Sequence, residues 1–412
     1  MIEATGSRLP ANMRSFTSSI VFFSLTLIVG ACVLLRAPAG LSYPVAAPSI
    51  SSSVGASGAI PSAPQLSLEA KGTIPMPAGA PSAHASTLVP LTGRHSGSLA
   101  AFWFAGSRES GPDVQIAFSY FDRRTEEWTA AQFVVNRHTL AQQIGYGVRR
   151  IGNPVAWLDA SDRLHLFVVG TGLGGWAASR VVHLVQEGNL HDLGKLRFVP
   201  RGAMPLSWFW NTSYLVRNAP LPLNTGGMAL PVHFEIGMKT PMLAWFSSEG
   251  ELMGVRRISS RRNLLQPSVV ALNGHHWLAL MRMQGGDQRI ASAESLDAGK
   301  TWKDLPDLDR PNPDAAVAAL VVGKMLVMAE NPSSSSRQSL VLSQSQDGSS
   351  WERTSVLEEG VPGDEYSYPY LTMVDGALWV SYTDRRKEIA WQRFSLSHPS
   401  GKDQPAIDFG KL

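Results

Sequence analysis

The sequence predicts an all-β protein, a six-bladed β-propeller, preceded by an N-terminal transmembrane helix and a flexible linker. Short apolar or alternating runs recur from about Lys71 onward, and clusters of Gly, Asn, Asp and Pro separate them, as is typical of strands and turns. No stretch keeps a 3.6-residue period for three turns, so helices are not favoured. Residues 71–394, divided by six, give roughly 54 residues per unit, which is the size of a propeller blade; an array of β-sandwiches is the alternative.

Two turn motifs support this blade length. Residues 295–302 have the form Ser-x-Asp-x-Gly-x-Thr-Trp and resemble an Asp-box. The carboxylate of Asp297 can accept N–H groups of a tight turn, Gly299 can supply a positive φ, and Trp302 can anchor the turn on the sheet. A shorter version, residues 345–351, begins fifty positions later. Such boxes are turn staples far from an active site, so they indicate architecture rather than chemistry.

Composition and charge exclude several classes of protein. The chain has 27 Pro and 37 Gly but only 17% charged residues, which favours a turn-dense β protein. A net charge of +3 does not call for a nucleic-acid partner. The single cysteine, Cys32, excludes an internal disulfide and a cysteine-based metal site. No phosphate-binding loop or Gly-x-Ser-x-Gly motif occurs, and we expect no metal or other cofactor.

The N-terminal segment predicts attachment to a membrane. Residues 15–35 are uncharged and mostly apolar, long enough to span a bilayer as a signal anchor. Arg8 and Arg14 precede this segment, and between Arg36 and Glu69 there is no charge, so residues 1–14 are expected in the cytoplasm and the propeller on the periplasmic or extracellular side.

Two alternatives to an anchor remain open. The sequence before Cys32 is similar to a lipobox, which would make the protein a lipoprotein, and a cleaved signal peptide is the other possibility. Residues 36–70 are rich in Ala, Ser, Pro and Gly and predict a flexible tether. The propeller is expected over residues 71–397, with a C-terminal tail at 398–412.

Four motifs in a fixed order resemble the BNR-repeat sialidase-like family. They are the Asp-boxes and residues 104–113, 152–154 and 367–371. This family forms six-bladed propellers, and the resemblance covers about residues 71–394. It implies a retaining glycosidase with a general acid, a tyrosine nucleophile and arginines that bind the substrate carboxylate. A neutral phenol suits such a substrate because a carboxylate nucleophile would be repelled by it.

The resemblance implies a role for each matching residue. Asp113, five positions after Arg108, matches the general acid/base, and Tyr368 matches the nucleophile. Arg282 and Arg337 match the second and third carboxylate-binding arginines of the family. The other expected substrate-binding residues are Arg108, His84, Gln266 and Arg217.

Two positions depart from the family pattern. His84 stands where the family has its first arginine, and Gln266 stands where it has the glutamate that polarises the tyrosine. Glu365, three residues before Tyr368, is the candidate to replace that glutamate. The departures weaken the prediction of sialic acid more than that of an acidic glycan in general.

Three functions therefore stay open. The first is a sialidase-like glycoside hydrolase acting on a sialic-acid-like or uronate-containing glycan. The second is a uronate lyase in which His84 or Tyr368 removes the proton next to the carboxylate. The third is a non-catalytic glycan-binding propeller that stacks sugars on Trp103, Trp176, Trp208 or Trp210. In each case the expected partner is a glycan.

Overall fold

The computed structural model describes residues 65–397, except 189, 191, 208 and 209, together with residue 24. The predicted transmembrane segment 15–35, apart from residue 24, lies outside the described residues, as do residues 1–14, 36–64 and 398–412, and with them Cys32. Within the described part of the chain, no helix has the length and apolar character needed to cross a membrane.

The described strands form six antiparallel sheets, which are the blades of a propeller. Blade 1 contains β2 (Ser82–Pro90), β3 (Leu99–Gly106), β4 (Gln115–Asp122), β5 (Glu127–Trp128) and β6 (Gln132–Val135). Helix α1 (Arg137–Ile144) leads to blade 2, with β7 (Arg150–Leu158), β8 (Leu164–Thr171), β9 (Ser179–Gln186) and β10 (Phe198–Ala203). Blade 3 contains β11 (Tyr214–Val216), β12 (Leu221–Pro222), β13 (Met228–Phe234), β14 (Thr240–Phe246) and β15 (Leu252–Arg257).

The remaining blades follow the same plan. Blade 4 contains β16 (Leu264–Ala271), β17 (Trp277–Met283), β18 (Ala291–Ser295) and β19 (Lys303–Leu305). Blade 5 contains β20 (Ala318–Val322), β21 (Met325–Glu330), β22 (Ser339–Ser345) and β23 (Glu352–Glu359). Blade 6 contains β24 (Tyr366–Val374), β25 (Ala377–Asp384), β26 (Glu388–Ser397) and the N-terminal β1 (Gln65–Thr73).

The first strands of the blades form a closed ring around an axis. Strand β2 contacts both β7 and β24, β7 contacts β11, and β20 contacts both β16 and β24. Between blades 3 and 4, β16 contacts β12 and β13. This closure confirms the predicted six-bladed propeller.

The apolar core lies between the blades. Each of six buried apolar clusters is built from the facing sides of two neighbouring blades, for example Phe102 of blade 1 with Leu166 of blade 2. Because both faces of a blade are covered, a strand such as β3 is buried at every position. This explains why many strands appear in the sequence as continuous apolar runs rather than strict alternation.

Blade 6 joins the two ends of the propeller. Strand β1 pairs antiparallel with β26, from Gln65 opposite Ser397 to Thr73 opposite Ala390. Residues 65–70, which the sequence assigned to the linker, therefore lie in a strand of blade 6. The strand is mostly exposed, so its residues carry little apolar signal, and pairing with β26 rather than burial fixes it.

Both Asp-boxes form the predicted turn staples between the third and fourth strands of blades 4 and 5. Asp297 accepts the N–H of Thr301 at 2.8 Å, and the indole N–H of Trp302 donates to the carbonyl of Gly299 at 3.0 Å. Gly299 has a φ of 80°. In the second box, Asp347 accepts two backbone N–H groups at 2.8 Å, and these bonds lower its pKa to about 2 although burial opposes them.

Candidate functional site

Four of the innermost strands carry a β-bulge near their N-terminal ends, because the pairing register shifts within β2, β7, β16 and β24. Each bulge holds one residue other than glycine at a positive φ: Ala85 at 54°, Asn153 at 43°, Gln266 at 48° and Tyr368 at 54°. A bulge redirects a side chain, and a bulky residue keeps a positive φ only where its surroundings enforce it. Within these four inner strands, the strained residues therefore lie at the same end of the axis.

A proline follows three of these residues, at positions 154, 267 and 369. Proline has no N–H to donate to a sheet, and a bulge is one of the few places in a strand that tolerates it. These three prolines of the sequence therefore mark the same β-bulge in three of the inner strands.

Tyr368 lies among three side chains from other blades. Its ring contacts His84 edge to face, with the centroids 4.5 Å apart, and the guanidinium carbon of Arg217 lies 5.1 Å from its centroid. The guanidinium of Arg282, at the end of β17, is close enough to Tyr368 to interact with it electrostatically.

Arg282 connects blade 4 to blade 5. Its Nε donates to Oδ1 of Asp314, and its Nη1 donates to Oε1 of Gln266 at 3.2 Å. Burial opposes the charged form of Arg282, but the bond with Asp314 and the contact with Tyr368 raise its pKa. Gln266 therefore orients this arginine.

Arg337 and Arg386 share the carboxylate of Glu365. Arg337 Nη1 donates to Oε1 at 3.0 Å, and Arg386 Nε donates to Oε2 at 2.8 Å. The hydroxyl of Ser367 adds a third bond at 2.9 Å. Although burial opposes ionisation, the bonds from Arg386 and Ser367 lower the pKa of Glu365 to about 2. The other end of Arg337 donates to the carbonyl of Asp314 at 2.7 Å.

His84 and Glu109 complete the arrangement from blade 1. Arg386 Nη1 also donates to Glu109, whose Oε1 lies 3.8 Å from Nε2 of His84. Burial raises the pKa of Glu109, and Arg386 opposes this shift. His84 is 1% exposed, and neither ring nitrogen has a hydrogen-bond partner among the described residues. Burial and the nearby Arg386 lower the pKa of His84 to about 3, so its ring is neutral at pH 7.

These contacts close into a loop of eight residues, which we call the axial ring. In order of contact, its members are Tyr368, Arg282, Asp314, Arg337, Glu365, Arg386, Glu109 and His84. They come from blades 1, 4, 5 and 6. Because successive strands alternate in direction, the ring lies at the opposite end of the blades from the Asp-boxes.

Arg217 is outside the ring and supports it. The side chain is fully buried and donates to the carbonyls of Ser86 at 3.3 Å, Pro369 at 3.1 Å and Tyr368. Burial lowers its pKa to about 10, which leaves it charged at pH 7. Its hydrogen bonds to these carbonyls stabilise the backbone of the β24 bulge, a role that we call the Arg217 clamp and that fits its burial better than a contact with substrate.

The predicted Arg108 and Asp113 lie in the loop between β3 and β4, and both side chains are exposed. Ser107 donates to the Asp113 carboxylate from its N–H at 2.7 Å and from its hydroxyl at 2.8 Å. These bonds lower the pKa of Asp113. The contacts that the structure gives these two residues stay within the loop, so it does not bring them into the axial ring.

Of the candidate sugar platforms, Trp103 is fully buried in a core cluster and cannot stack on a ligand. Trp176 is half-buried and packs on the core between blades 2 and 3, and Trp210 is 45% exposed. Trp208 lies outside the described residues.

Sequence reasoning missed Glu109, Asp314 and Arg386. Arg386 follows Arg385 in the turn between β25 and β26, where two adjacent arginines resemble ordinary surface charges. Both have a positive φ, 48° and 59°. The available signal for Glu109 was its position in the loop that carries the predicted acid.

The axial ring balances its charges. Arg282, Arg337 and Arg386 oppose three carboxyl groups, those of Asp314, Glu365 and Glu109. An acidic ligand would therefore compete with an internal carboxylate for a guanidinium. Such an arrangement can bind an anion, place a phenol beside it and supply a proton.

Comparison with known proteins agrees with this fold. Residues 97–380 match the model of the BNR repeat-like domain. The chain belongs to this family of BNR repeat-like domains. A comparison with curated protein sequences found no match.

Similar solved structures include the Hadza microbial sialidase Hz136, at a TM-score of 0.61 and 16% identity over 76% of this chain and 65% of that chain. A Trypanosoma rangeli sialidase in complex with sialic acid has a TM-score of 0.59 and 14% identity over 78% of this chain and 56% of that chain. A Dyadobacter fermentans protein of unknown function has a TM-score of 0.59 and 11% identity over 81% of this chain and 100% of that chain. The chain thus spans less than two thirds of either sialidase, and the likeness shows the fold.

Proposed function

We propose that the protein is a sialidase-type glycoside hydrolase that acts on a glycan with a carboxylated sugar. The observation that carries the proposal is the axial ring, in which Tyr368 is held at a φ of 54° beside Arg282 and a neutral histidine, and which contains two further guanidiniums. Backbone strain of this kind is concentrated where a side chain must be placed for function.

The arginines support a carboxylated substrate. Guanidinium groups bind carboxylates through paired N–H donors, and Arg282, Arg337 and Arg386 present theirs around one end of the axis. The sialic acid of the similar Trypanosoma rangeli complex is a sugar of this class.

The proposed reaction has two steps. The Tyr368 oxygen bonds to the anomeric carbon as the bond to the aglycone oxygen breaks, and a carboxylic acid of the β3–β4 loop protonates that oxygen. The phenolic proton passes to water. A water molecule then cleaves the bond to Tyr368: its hydroxyl bonds to the anomeric carbon and its proton goes to the phenol oxygen. The sugar is released, and the loop carboxylate regains a proton from solvent. Nearby Arg282 stabilises negative charge that develops on the phenol oxygen.

Glu365 has a positioning role in this proposal. Three hydrogen bonds hold its carboxylate ionised, and it fixes Arg337 and Arg386 around the site. This role differs from the activation of Tyr368 that the resemblance implied.

His84 favours uronate lyase activity as a second candidate. The ring is buried beside Tyr368, is neutral at pH 7 and leaves both nitrogens without a partner among the described residues. A histidine beside a tyrosine matches the pair of residues that a lyase would use, and the low pKa of His84 assigns the removal of the proton next to the substrate carboxylate to Tyr368.

Product analysis separates these functions. The full-length protein is incubated with sialosides and with uronate-containing oligosaccharides in ¹⁸O-labelled water, and the products are analysed by mass spectrometry. A free acidic sugar that contains ¹⁸O supports the hydrolase, and an unsaturated uronate supports the lyase. Binding without turnover would contradict both and support a glycan-binding propeller.

For the cellular location, we propose that residues 15–35 anchor the protein and that the propeller is exported. The uncharged apolar segment and the preceding arginines support this. Protease treatment of intact cells should digest the propeller only if it is exported, and its protection there would contradict the proposal.

A further inference from the structure

Glu109 has fewer partners than Glu365, the other carboxyl group that Arg386 contacts. Within the described residues, its charged contact is with Arg386, and its other neighbour is the neutral His84 at 3.8 Å. Glu365, in contrast, accepts bonds from two arginines and a serine.

Arg386 joins these two carboxylates. Its Nε donates to Glu365 and its Nη1 donates to Glu109, so a substrate carboxylate that binds Arg386 competes with one of them. If Arg386 turns away, Glu365 still accepts hydrogen bonds from Arg337 and Ser367. Glu109 then has only His84 as a neighbour, at 3.8 Å. Glu109 is therefore the group that is displaced.

A displaced Glu109 cannot easily remain ionised. It is half-buried, Glu365 lies near it, and an arriving carboxylate adds a further negative charge. The charged or titratable groups that face it are His84 from β2, Arg386 from the β25–β26 turn, Glu365 from the start of blade 6 and Arg337 from blade 5. Since His84 is neutral, only the two arginines oppose proton uptake, and the ligand occupies one of them.

We propose that binding of an acidic sugar at Arg386 causes Glu109 to take up a proton, and that protonated Glu109 is the catalytic acid of the site. This inference rests on the proposed function for its second part. The Glu109 proton goes to the aglycone oxygen, whose bond to the anomeric carbon breaks with its electron pair while the Tyr368 oxygen bonds to that carbon. Burial, which already raises the pKa of Glu109, supports the assignment, whereas Asp113 is exposed and bonded to Ser107.

Calorimetry of the full-length protein tests the proton uptake without any need for turnover. Free sialic acid and free glucuronic acid are titrated between pH 5 and pH 8 in buffers of different ionisation enthalpy. We expect uptake that approaches one proton per bound acid, and a Kd that rises about tenfold per pH unit above the pKa of Glu109. In Glu109→Gln the uptake and this pH dependence should be lost, whereas Asp113→Asn should retain both.

Activity tests the second part. Glu109→Gln should lose at least about 100-fold in kcat/KM on a natural glycoside. It should lose much less on an aryl glycoside whose leaving group needs no proton. If Glu109 had only a structural role, its replacement would reduce kcat/KM equally for both substrates. Melting curves check the fold of each variant.

The outcomes separate the two proposals. Binding without proton uptake, or uptake lost in Asp113→Asn but kept in Glu109→Gln, would overturn the role of Glu109 and leave the hydrolase standing. Proton-linked binding without turnover by the wild type would uphold the first part and overturn the hydrolase and the acid role. If neither acid binds at any pH, the proton uptake by Glu109 is overturned, whereas turnover of a glycoside would still uphold the hydrolase.

Discussion

Tyr368 and Arg217 show how one residue supports the strained conformation of another. Tyr368 has a φ of 54°, and the buried guanidinium of Arg217 donates to its carbonyl and to that of Pro369. These acceptors lie at a bulge, where the sheet cannot satisfy them. The strain at Tyr368 is thus stabilised from blade 3, across the axis.

Replacing Arg217 tests this clamp. Arg217→Lys keeps the charge but cannot reach three carbonyls from one planar group. We expect a loss of about 3 kcal/mol in the free energy of unfolding, measured by urea denaturation. Arg262 is exposed, so Arg262→Lys serves as the control and should change the free energy of unfolding by less than about 0.5 kcal/mol. Equal stability of the two variants would contradict the clamp.

His84 makes stability depend on pH. Its pKa in the folded protein is about 3, below the usual 6.5. Above pH 6.5 the ring is neutral in both states, and below it the unfolded chain binds a proton that the folded protein excludes. The part of the free energy of unfolding that depends on a neutral His84 is therefore lost as the pH falls from 6.5 towards 3. Urea denaturation between pH 7.5 and 5 should show a smaller loss in His84→Gln than in the wild type. An identical loss would show that His84 is protonated in the fold.

At the level of the turn and the strand, Gly299 combines two constraints. It has a φ of 80°, and an added Cβ would lie 2.6 Å from the indole of Trp277. Gly323, in the β20–β21 turn, has a φ of 61° and open space around the same position. The pair therefore separates backbone strain from crowding.

Gly323→Ala should lower the free energy of unfolding by about 1 kcal/mol, because it adds only the strain of a positive φ. Gly299→Ala should cost about 1 to 3 kcal/mol more, because the Asp-box must move off Trp277. Thermal unfolding of both variants checks this, and kcat should stay unchanged in each because the box is at the far end of the blade. Equal losses would contradict the crowding argument.

These elements also show what the sequence could and could not reveal. The Asp-boxes were predictable because Asp297, Gly299 and Trp302 act within one turn. The contact between Glu109 and Arg386 joins residues 277 positions apart and depends on the closure of the propeller. Arg282, Arg337 and Tyr368 were predicted from the family resemblance, whereas the position of Arg386 beside them depends on the closure of the propeller. The start of β1 was missed because its partner strand, not its own composition, orders it.

The propeller as a whole is closed by β1. A chain that begins at residue 74 would leave β26 with an unpaired edge, and exposed edges promote association. We expect this chain to aggregate or melt at a lower temperature than one that begins at residue 65, as measured by light scattering and calorimetry. Two monomeric proteins with the same Tm would contradict this closure.

The central claim is that the propeller presents Tyr368 as the nucleophile of a hydrolase for acidic glycans. The most direct measurement is kcat/KM for a carboxylated glycoside with Tyr368→Phe and, as the matched control from the same strand, Tyr366→Phe. We predict that the first variant loses roughly 10³-fold or more while it keeps the wild-type Tm, and that the second stays close to the wild type. Full turnover by Tyr368→Phe would contradict the account.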